Sequence, residues 1–177
     1  PLKIIVHYKD FNAIVLLDNQ LNEIQRIGLF ELPTPIIAEA VGIAGQNKLW
    51  IYDQNSKQLG TMDLSNFKWQ ILGLPLSSEL KYCQTDYNYF YWIDQENEIY
   101  QMDLFGKKSY IGNAPLFEQI SFIKSDEILY TYENQLYWKQ LSKNETFVVK
   151  INEKTMDSFS YKEEILSIFT KKKITNY

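Results

Sequence analysis

The sequence predicts an all-β fold, a β-propeller, from three observations. A unit of four short strands recurs about every 35–41 residues along the chain. Prolines open successive units at a fixed spacing. Aromatic residues make up 15% of the chain, whereas alanine, the strongest helix former, occurs only five times. Repeats of this length with four strands are typical of propeller blades.

Each repeat contains a hairpin with one plan. An apolar run is followed by a polar cluster rich in Asp and Asn, and a second run then ends near a leucine. Asp and Asn favour turns because their side chains bond the nearby backbone, so we expect Asp18, Asp53 and Asp94 to stabilise hairpin turns. The repeats are Ile14–Leu29, Leu49–Leu64, Tyr89–Leu104 and Asp126–Leu141, with a weaker fifth at Glu163–Tyr177.

The prolines mark the connections between repeats, because proline lacks the backbone donor that a central strand needs. Pro35, Pro75 and Pro115 are spaced by 40 residues, and Pro1 and Pro33 also precede units. The first strand of each unit is expected soon after its proline. These first strands are Ile4–His7, Ala38–Ile43, Leu80–Gln84 and Gln119–Ile123.

We interpret residues 1–177 as a single propeller domain. Its blades are residues 1–32, 33–73, 74–114, 115–152 and a partial blade 153–177. Because a propeller ring often has about six or seven blades, we expect further blades upstream of Pro1. Two alternatives stay open: an unrelated β-sandwich, and a local helix after the capping-box pattern Ser160-x-x-Glu163.

The second, third and fourth units are predicted in full. Their strands are Ile37–Ala44, Lys48–Tyr52, Gln58–Asp63 and Lys68–Leu72, then Leu80–Thr85, Tyr89–Ile93, Glu98–Asp103 and Lys108–Gly112, then Gln119–Ile123, Ile128–Tyr132, Gln135–Leu141 and Thr146–Ile151.

Composition excludes several classes of function. The net charge of −4 argues against nucleic-acid binding, which needs a basic surface. One cysteine, Cys83, excludes an internal disulfide and a cysteine-based zinc site, and we expect no cofactor or metal. Cys83 and the single histidine, His7, are expected to be core residues of first strands. No apolar run approaches the ~20 residues that a transmembrane helix needs.

Three segments resemble uncharacterised exported β-propeller proteins of Bacteroidota. These are FNAIVLLDNQLNEIQRI (Phe11–Ile27), NKLWIYDQNSKQLG (Asn47–Gly60) and DYNYFYWID (Asp86–Asp94). The resemblance implies export to the cell envelope, either the periplasm or the outer membrane. It implies no catalytic residue and no ligand.

The connections between blades are the expected functional elements, because a rigid scaffold holds its loops in place. They are Glu31–Pro35, Gly73–Ser78, Gly112–Leu116 and Asn152–Asp157. Leu74, Leu76 and Leu116 could form an apolar patch for a protein or peptide, with Tyr87 as a further contact. Alternatively, each leucine folds under its own loop.

The sequence therefore favours a non-enzymatic binding scaffold of the cell envelope. Two other functions stay open. One is a purely structural part of an envelope assembly. The other is a hydrolase or lyase in a central channel, and the polar residues of the first strands that could serve it are His7, Tyr8, Glu39, Cys83, Gln84 and Lys124.

Overall fold

The computed structural model describes residues 4–153 and 155–177. Pro1, which the sequence places ahead of the first blade, and one residue of the Asn152–Asp157 connection lie outside the described residues. The described chain forms five small antiparallel sheets and one short 3-10 helix, Lys9–Phe11. The fold is an all-β propeller with blades of three or four strands, which confirms the predicted fold class.

Within each sheet, strands that are consecutive in sequence are neighbours. The first sheet contains β1 (Ile4–Tyr8), β2 (Ala13–Leu17) and β3 (Glu23–Gly28). The second contains β4 (Ala38–Ala44), β5 (Lys48–Asp53), β6 (Gln58–Asp63) and β7 (Trp69–Leu72). The third contains β8 (Leu80–Thr85), β9 (Tyr89–Asp94), β10 (Glu98–Asp103) and β11 (Lys108–Asn113).

The fourth sheet contains β12 (Gln119–Lys124), β13 (Glu127–Tyr132), β14 (Gln135–Gln140) and β15 (Glu145–Val148). The fifth contains β16 (Ser158–Lys162), β17 (Ile165–Phe169) and β18 (Ile174–Asn176). The strands predicted for the three complete units are confirmed to within a few residues at each end. The largest difference is in the fourth unit, where the outer strand ends at Val148 rather than at Ile151.

The segment after the capping-box pattern is a strand and not a helix. Glu163 and Glu164 adopt left-handed backbone angles, with φ of 52° and 64°. They form a tight turn, so that Lys162 pairs with Ile165 in an antiparallel hairpin. The repeat pattern therefore predicted this segment correctly, and the local capping signal did not.

The chain divides into two compact units, one of residues 1–95 with 101–109 and the other of residues 96–100 with 110–177. In the first, β5 is buried from Leu49 to Asp53, because both faces of this strand are covered. Its apolar cluster draws on the first two sheets and includes Ile14, Ile27, Ile51 and Met62. The second unit has a separate cluster around Leu136 and Phe159. Continuous apolar strands therefore do mark blades covered on both faces.

The aspartates in the hairpin turns act as predicted at two positions. The Asp18 carboxylate accepts the backbone N–H groups of Gln20 and Asn22, both at 2.8 Å. Asp53 accepts the N–H of Ser56 at 3.1 Å within its own turn. It also accepts the N–H of Ile37 at 2.9 Å, just ahead of the first strand of the same blade. Both aspartates therefore stabilise their turns, and Asp53 also ties its turn to the start of β4.

Candidate functional site

Three of the four predicted contact residues are exposed and one is buried. Leu74 is 83% exposed, Leu116 68% and Tyr87 59%, whereas Leu76 is only 5% exposed. Leu76 also donates its backbone N–H to the carbonyl of Lys57 at 2.8 Å, which holds the connection against the β5–β6 turn. Leu76 therefore folds under its own loop, as the alternative predicted, and does not offer its side chain to a partner. Binding by the other three stays a prediction.

Backbone contacts position Tyr87 in the first unit. The Gly45 N–H donates to the Tyr87 carbonyl at 2.6 Å, which joins the β4–β5 turn to the β8–β9 turn. Gly45 has a φ of 45°, and a Cβ at this position would lie 3.3 Å from the Leu104 side chain. The Leu104 side chain, from the β10–β11 turn, therefore packs against the β4–β5 turn.

The same β10–β11 turn also lies against the connection that carries Leu74. A Cβ built at Gly106 would lie 3.5 Å from the backbone nitrogen of Gly73. Gly106 and Gly73 have φ of 84° and 73°, so both positions favour glycine. This close approach joins the backbones of the two loops, and Leu74 and Phe105 are the residues next to these glycines.

Phe105 is 93% exposed and is a residue that the sequence pattern did not predict as a contact. Its turn is nonetheless held rigidly, because the Asp103 carboxylate accepts the N–H groups of Phe105 at 2.9 Å and Lys107 at 3.0 Å. The signal that could have found it is an aromatic residue placed between an Asp and a Gly in a turn. We define Leu74, Tyr87 and Phe105 as the loop surface.

In the second unit, Leu116 lies in a connection that is also fixed by the backbone. Ala114 donates its N–H to Asn97, and Glu118 donates to Thr131, each at 2.8 Å. Leu116 is thus an exposed apolar side chain on an ordered loop.

The first strands of the first unit hold all but one of the residues of the alternative enzymatic site. Lys9 and Glu39 form an ion pair at 2.5 Å. Burial raises the pKa of the Cys83 thiol to about 11, so this thiol is protonated at neutral pH. The pKa of His7 is lowered, first by burial and then by the Lys9 charge, and its Nε2 is buried without a hydrogen-bond partner. A protonated thiol is a poor nucleophile, so this arrangement does not favour covalent catalysis at Cys83.

The remaining polar residues of that proposal do not complete a catalytic set. The Tyr82 hydroxyl donates to Gln84 at 3.0 Å, and Tyr8 is 45% exposed. Lys124 belongs to the other unit. Across residues 4–153 and 155–177, no three His, Cys, Asp or Glu side chains are grouped closely enough to hold a metal ion.

A polar cavity of about 610 Å³ lies in the second unit, lined in part by Glu153, Asp157 and Lys171–Lys173. Glu153 is fully engaged by the last hairpin. Its carboxylate accepts hydrogen bonds from Thr175 at 2.6 Å and from the Tyr177 hydroxyl, and it pairs with Lys173 at 3.0 Å. These partners lower the pKa of Glu153 to about 2. The carboxylate therefore ties Asn152–Glu153 to the hairpin, which is a structural role.

Comparisons with known proteins identify the fold. No family model and no curated protein sequence matches this chain. Among solved structures, a virginiamycin B lyase from Staphylococcus aureus matches 99% of the chain with 14% identity and a TM-score of 0.56. Hsv2 from Kluyveromyces lactis matches 94% with 12% identity and a TM-score of 0.58. A nidogen/laminin complex matches 88% with 11% identity and a TM-score of 0.52.

These likenesses show the fold and nothing finer, because the sequence identities are so low. The matches cover 66%, 57% and 65% of those three chains, so this chain spans less than two thirds of each. Among the residues that the structure describes, no helix is long and apolar enough to cross a membrane.

Proposed function

We propose that this chain is a non-enzymatic scaffold that binds a protein or peptide through the loop surface of Leu74, Tyr87 and Phe105. The observation that carries the proposal is the exposure of Phe105 and Leu74, at 93% and 83%, on turns that hydrogen bonds and glycine contacts hold in place. Large exposed apolar groups on ordered loops mark interaction sites.

The rigidity of these turns favours binding on energetic grounds. Full burial of a Leu or Phe side chain contributes roughly 1.5–3 kcal/mol. A flexible loop would lose much of that gain when it became ordered in the complex. Because the β10–β11 turn is already fixed by Asp103, Phe105 is suited to act as an aromatic anchor.

The comparisons support a binding role in coarse terms. One neighbour of the same fold was solved as a nidogen/laminin complex, that is, with another protein. Another neighbour is a lyase. In this chain the candidate nucleophile, Cys83, has a raised pKa, which does not favour covalent catalysis. A location in the cell envelope, which the resemblance to exported propellers implies, belongs to the proposal as well.

The test compares variants of the loop surface with a variant at a buried leucine and a variant at an exposed phenylalanine outside that surface. Leu74→Ser and Phe105→Ser should each reduce partner binding at least about tenfold, a loss of ~1.4 kcal/mol, with the melting temperature unchanged. Leu76→Ser should lower the melting temperature because Leu76 is buried. Phe11→Ser, at a phenylalanine that is 78% exposed outside the loop surface, should change neither property. Equal binding by Phe105→Ser and Phe11→Ser would overturn the proposal.

A further inference from the structure

The first blade lacks the outer strand that the next three blades have. The second, third and fourth sheets have four strands, but the first ends at β3. The chain after β3 does not supply a fourth strand, because it turns back on itself: Ile36 donates its N–H to the Leu29 carbonyl at 3.2 Å. It then enters β4 of the second blade at Ala38. Among the described residues, β3 is therefore an edge strand.

The register shows which backbone groups this edge presents. Leu29 donates its N–H to the Asn12 carbonyl at 3.0 Å, so the next pair, Ala13 with Gly28, is a non-hydrogen-bonded pair. Pairs alternate along an antiparallel ladder, which makes Val15 with Arg26 non-hydrogen-bonded as well. The N–H and C=O of Arg26 and the N–H of Gly28 thus face away from β2, while the Gly28 carbonyl accepts the N–H of Glu31 at 3.1 Å.

The second blade presents an apolar surface on the side where a fourth strand of the first blade would lie. Trp69 of β7 packs against the apolar cluster that includes Ile27, so this face of β7 is directed toward the first sheet. Ile71 shares that face, since side chains alternate along a strand, and it is 47% exposed. A Cβ at Gly60 would lie 2.5 Å from the indole of Trp69, so this glycine makes room for the ring.

A cavity of about 310 Å³ adjoins this surface at the β6–β7 turn. Its apolar lining includes Leu32, Pro33, Phe67 and Trp69. Lys68 is its one charged lining residue among those described, and no acidic residue lines the cavity beside it. The cavity therefore suits an apolar side chain with a carboxylate nearby.

We propose that the edge of β3 and the Trp69–Ile71 face of β7 together accept an extended segment of a partner protein as the fourth strand of the first blade. The segment would bond to the backbone of Arg26 and Gly28. Apolar residues at every second position would cover Trp69 and Ile71, with an acidic residue near Lys68. Strand addition to a sheet edge is a common mode of peptide recognition, in which alternate side chains give specificity. This inference rests on the proposed binding function but uses a different surface.

The experiment selects ligands from a phage-displayed library of random linear peptides on the full chain. The expected peptides have alternating apolar residues and at least one acidic residue. Arg26→Pro removes an N–H that β2 does not use, so the blade should fold while peptide binding falls at least about tenfold. Arg26→Ala keeps the N–H and should bind as well as the wild type. Trp69→Ala should also weaken binding.

A second measurement covers the case in which Arg26→Pro does not fold. A selected peptide is made with N-methyl groups on every second amide, in each of the two possible registers. The register that methylates the amides facing β3 keeps its side chains but cannot pair along that edge and should not bind the wild-type chain, whereas the other register should still bind. Tight binding of both N-methylated registers, or enrichment of peptides with no alternation, would overturn strand addition.

The outcomes separate the two proposals. If Arg26→Pro loses the peptides but Phe105→Ser still binds the partner, the loop surface is wrong and the edge site stands. If Phe105→Ser loses the partner but Arg26→Pro still binds the peptides, the loop surface stands and the edge site is wrong.

Discussion

Gly42 of β4 lies directly against Thr85 of β8, and the contact leaves no room for a side chain at position 42. A Cβ built there would lie 1.9 Å from the Thr85 hydroxyl oxygen and 2.7 Å from the Thr85 Cβ. The first strands of the second and third blades thus approach closely at this point. The glycine is required by this packing and not by its backbone angles, because Gly42 is not among the glycines with positive φ.

Gly42→Ala should therefore destabilise the chain by about 1–3 kcal/mol, through overpacking between the two strands. Urea unfolding followed by tryptophan fluorescence measures this difference. Gly28→Ala is the control, because its Cβ would meet only the flexible carboxylate end of Glu31, at 2.9 Å. A Gly42→Ala protein as stable as Gly28→Ala would show that β4 and β8 do not pack as described.

Trp50 should be one of the most costly residues to truncate. It is fully buried in β5, and its indole N–H donates to the Asp86 carbonyl at 3.0 Å. Trp50→Ala should cost about 3–5 kcal/mol, because it leaves a cavity and an unpaired carbonyl. Lys172→Ala, at an exposed turn residue, should stay within about 0.5 kcal/mol in the same denaturation experiment. Similar losses for the two variants would contradict the strand assignment.

Glu153 should make the chain sensitive to acid. Its pKa is lowered from 4.5 to about 2 by Thr175, Tyr177 and Lys173, so its contribution to stability is complete above pH 4.5. That contribution is lost as the pH falls from 4.5 toward 2, because the unfolded chain binds the proton first. Melting temperatures measured across this range should fall less steeply for Glu153→Gln than for the wild type. Parallel curves would show that Glu153 is not tied to the last hairpin.

Cys83 should react slowly while the chain is folded. With a pKa of about 11, only about one thiol in a thousand is ionised at pH 8. Alkylation by iodoacetamide, followed by mass spectrometry, should accelerate about a hundredfold in denaturing urea, where the thiol regains an ordinary pKa. Rapid alkylation of the folded chain would instead reveal an activated thiol and would revive the enzymatic alternative.

The sequence predicted the blades well because their pattern is repeated and local. The turn aspartates Asp18, Asp53 and Asp94 recur at a spacing close to that of the prolines. The continuous apolar strand Leu49–Tyr52 is buried on both faces. Position in the repeat also outweighed the misleading capping signal at Ser160. The missing outer strand of the first blade, by contrast, depends on how the chain turns between Leu29 and Ile36.

The exposed candidate contact residues were harder to predict, because exposure depends on contacts between loops. Leu74 and Leu76 are close in sequence and chemically identical, yet one is exposed and the other is buried. Leu76 is held by a backbone hydrogen bond to Lys57, a contact that the sequence alone does not show. Phe105 was missed for the same reason: nothing in the sequence shows that Gly106 packs against Gly73.

The most direct test of the loop surface is site-specific photo-crosslinking in the source cells. Benzoylphenylalanine would replace Phe105 in one strain and Phe11, which is also exposed, in another. We expect a discrete crosslinked adduct of one partner protein at position 105, lost when Leu74→Ser is added, and no such adduct at position 11. An adduct that forms equally at both positions, or none at position 105, would contradict the account.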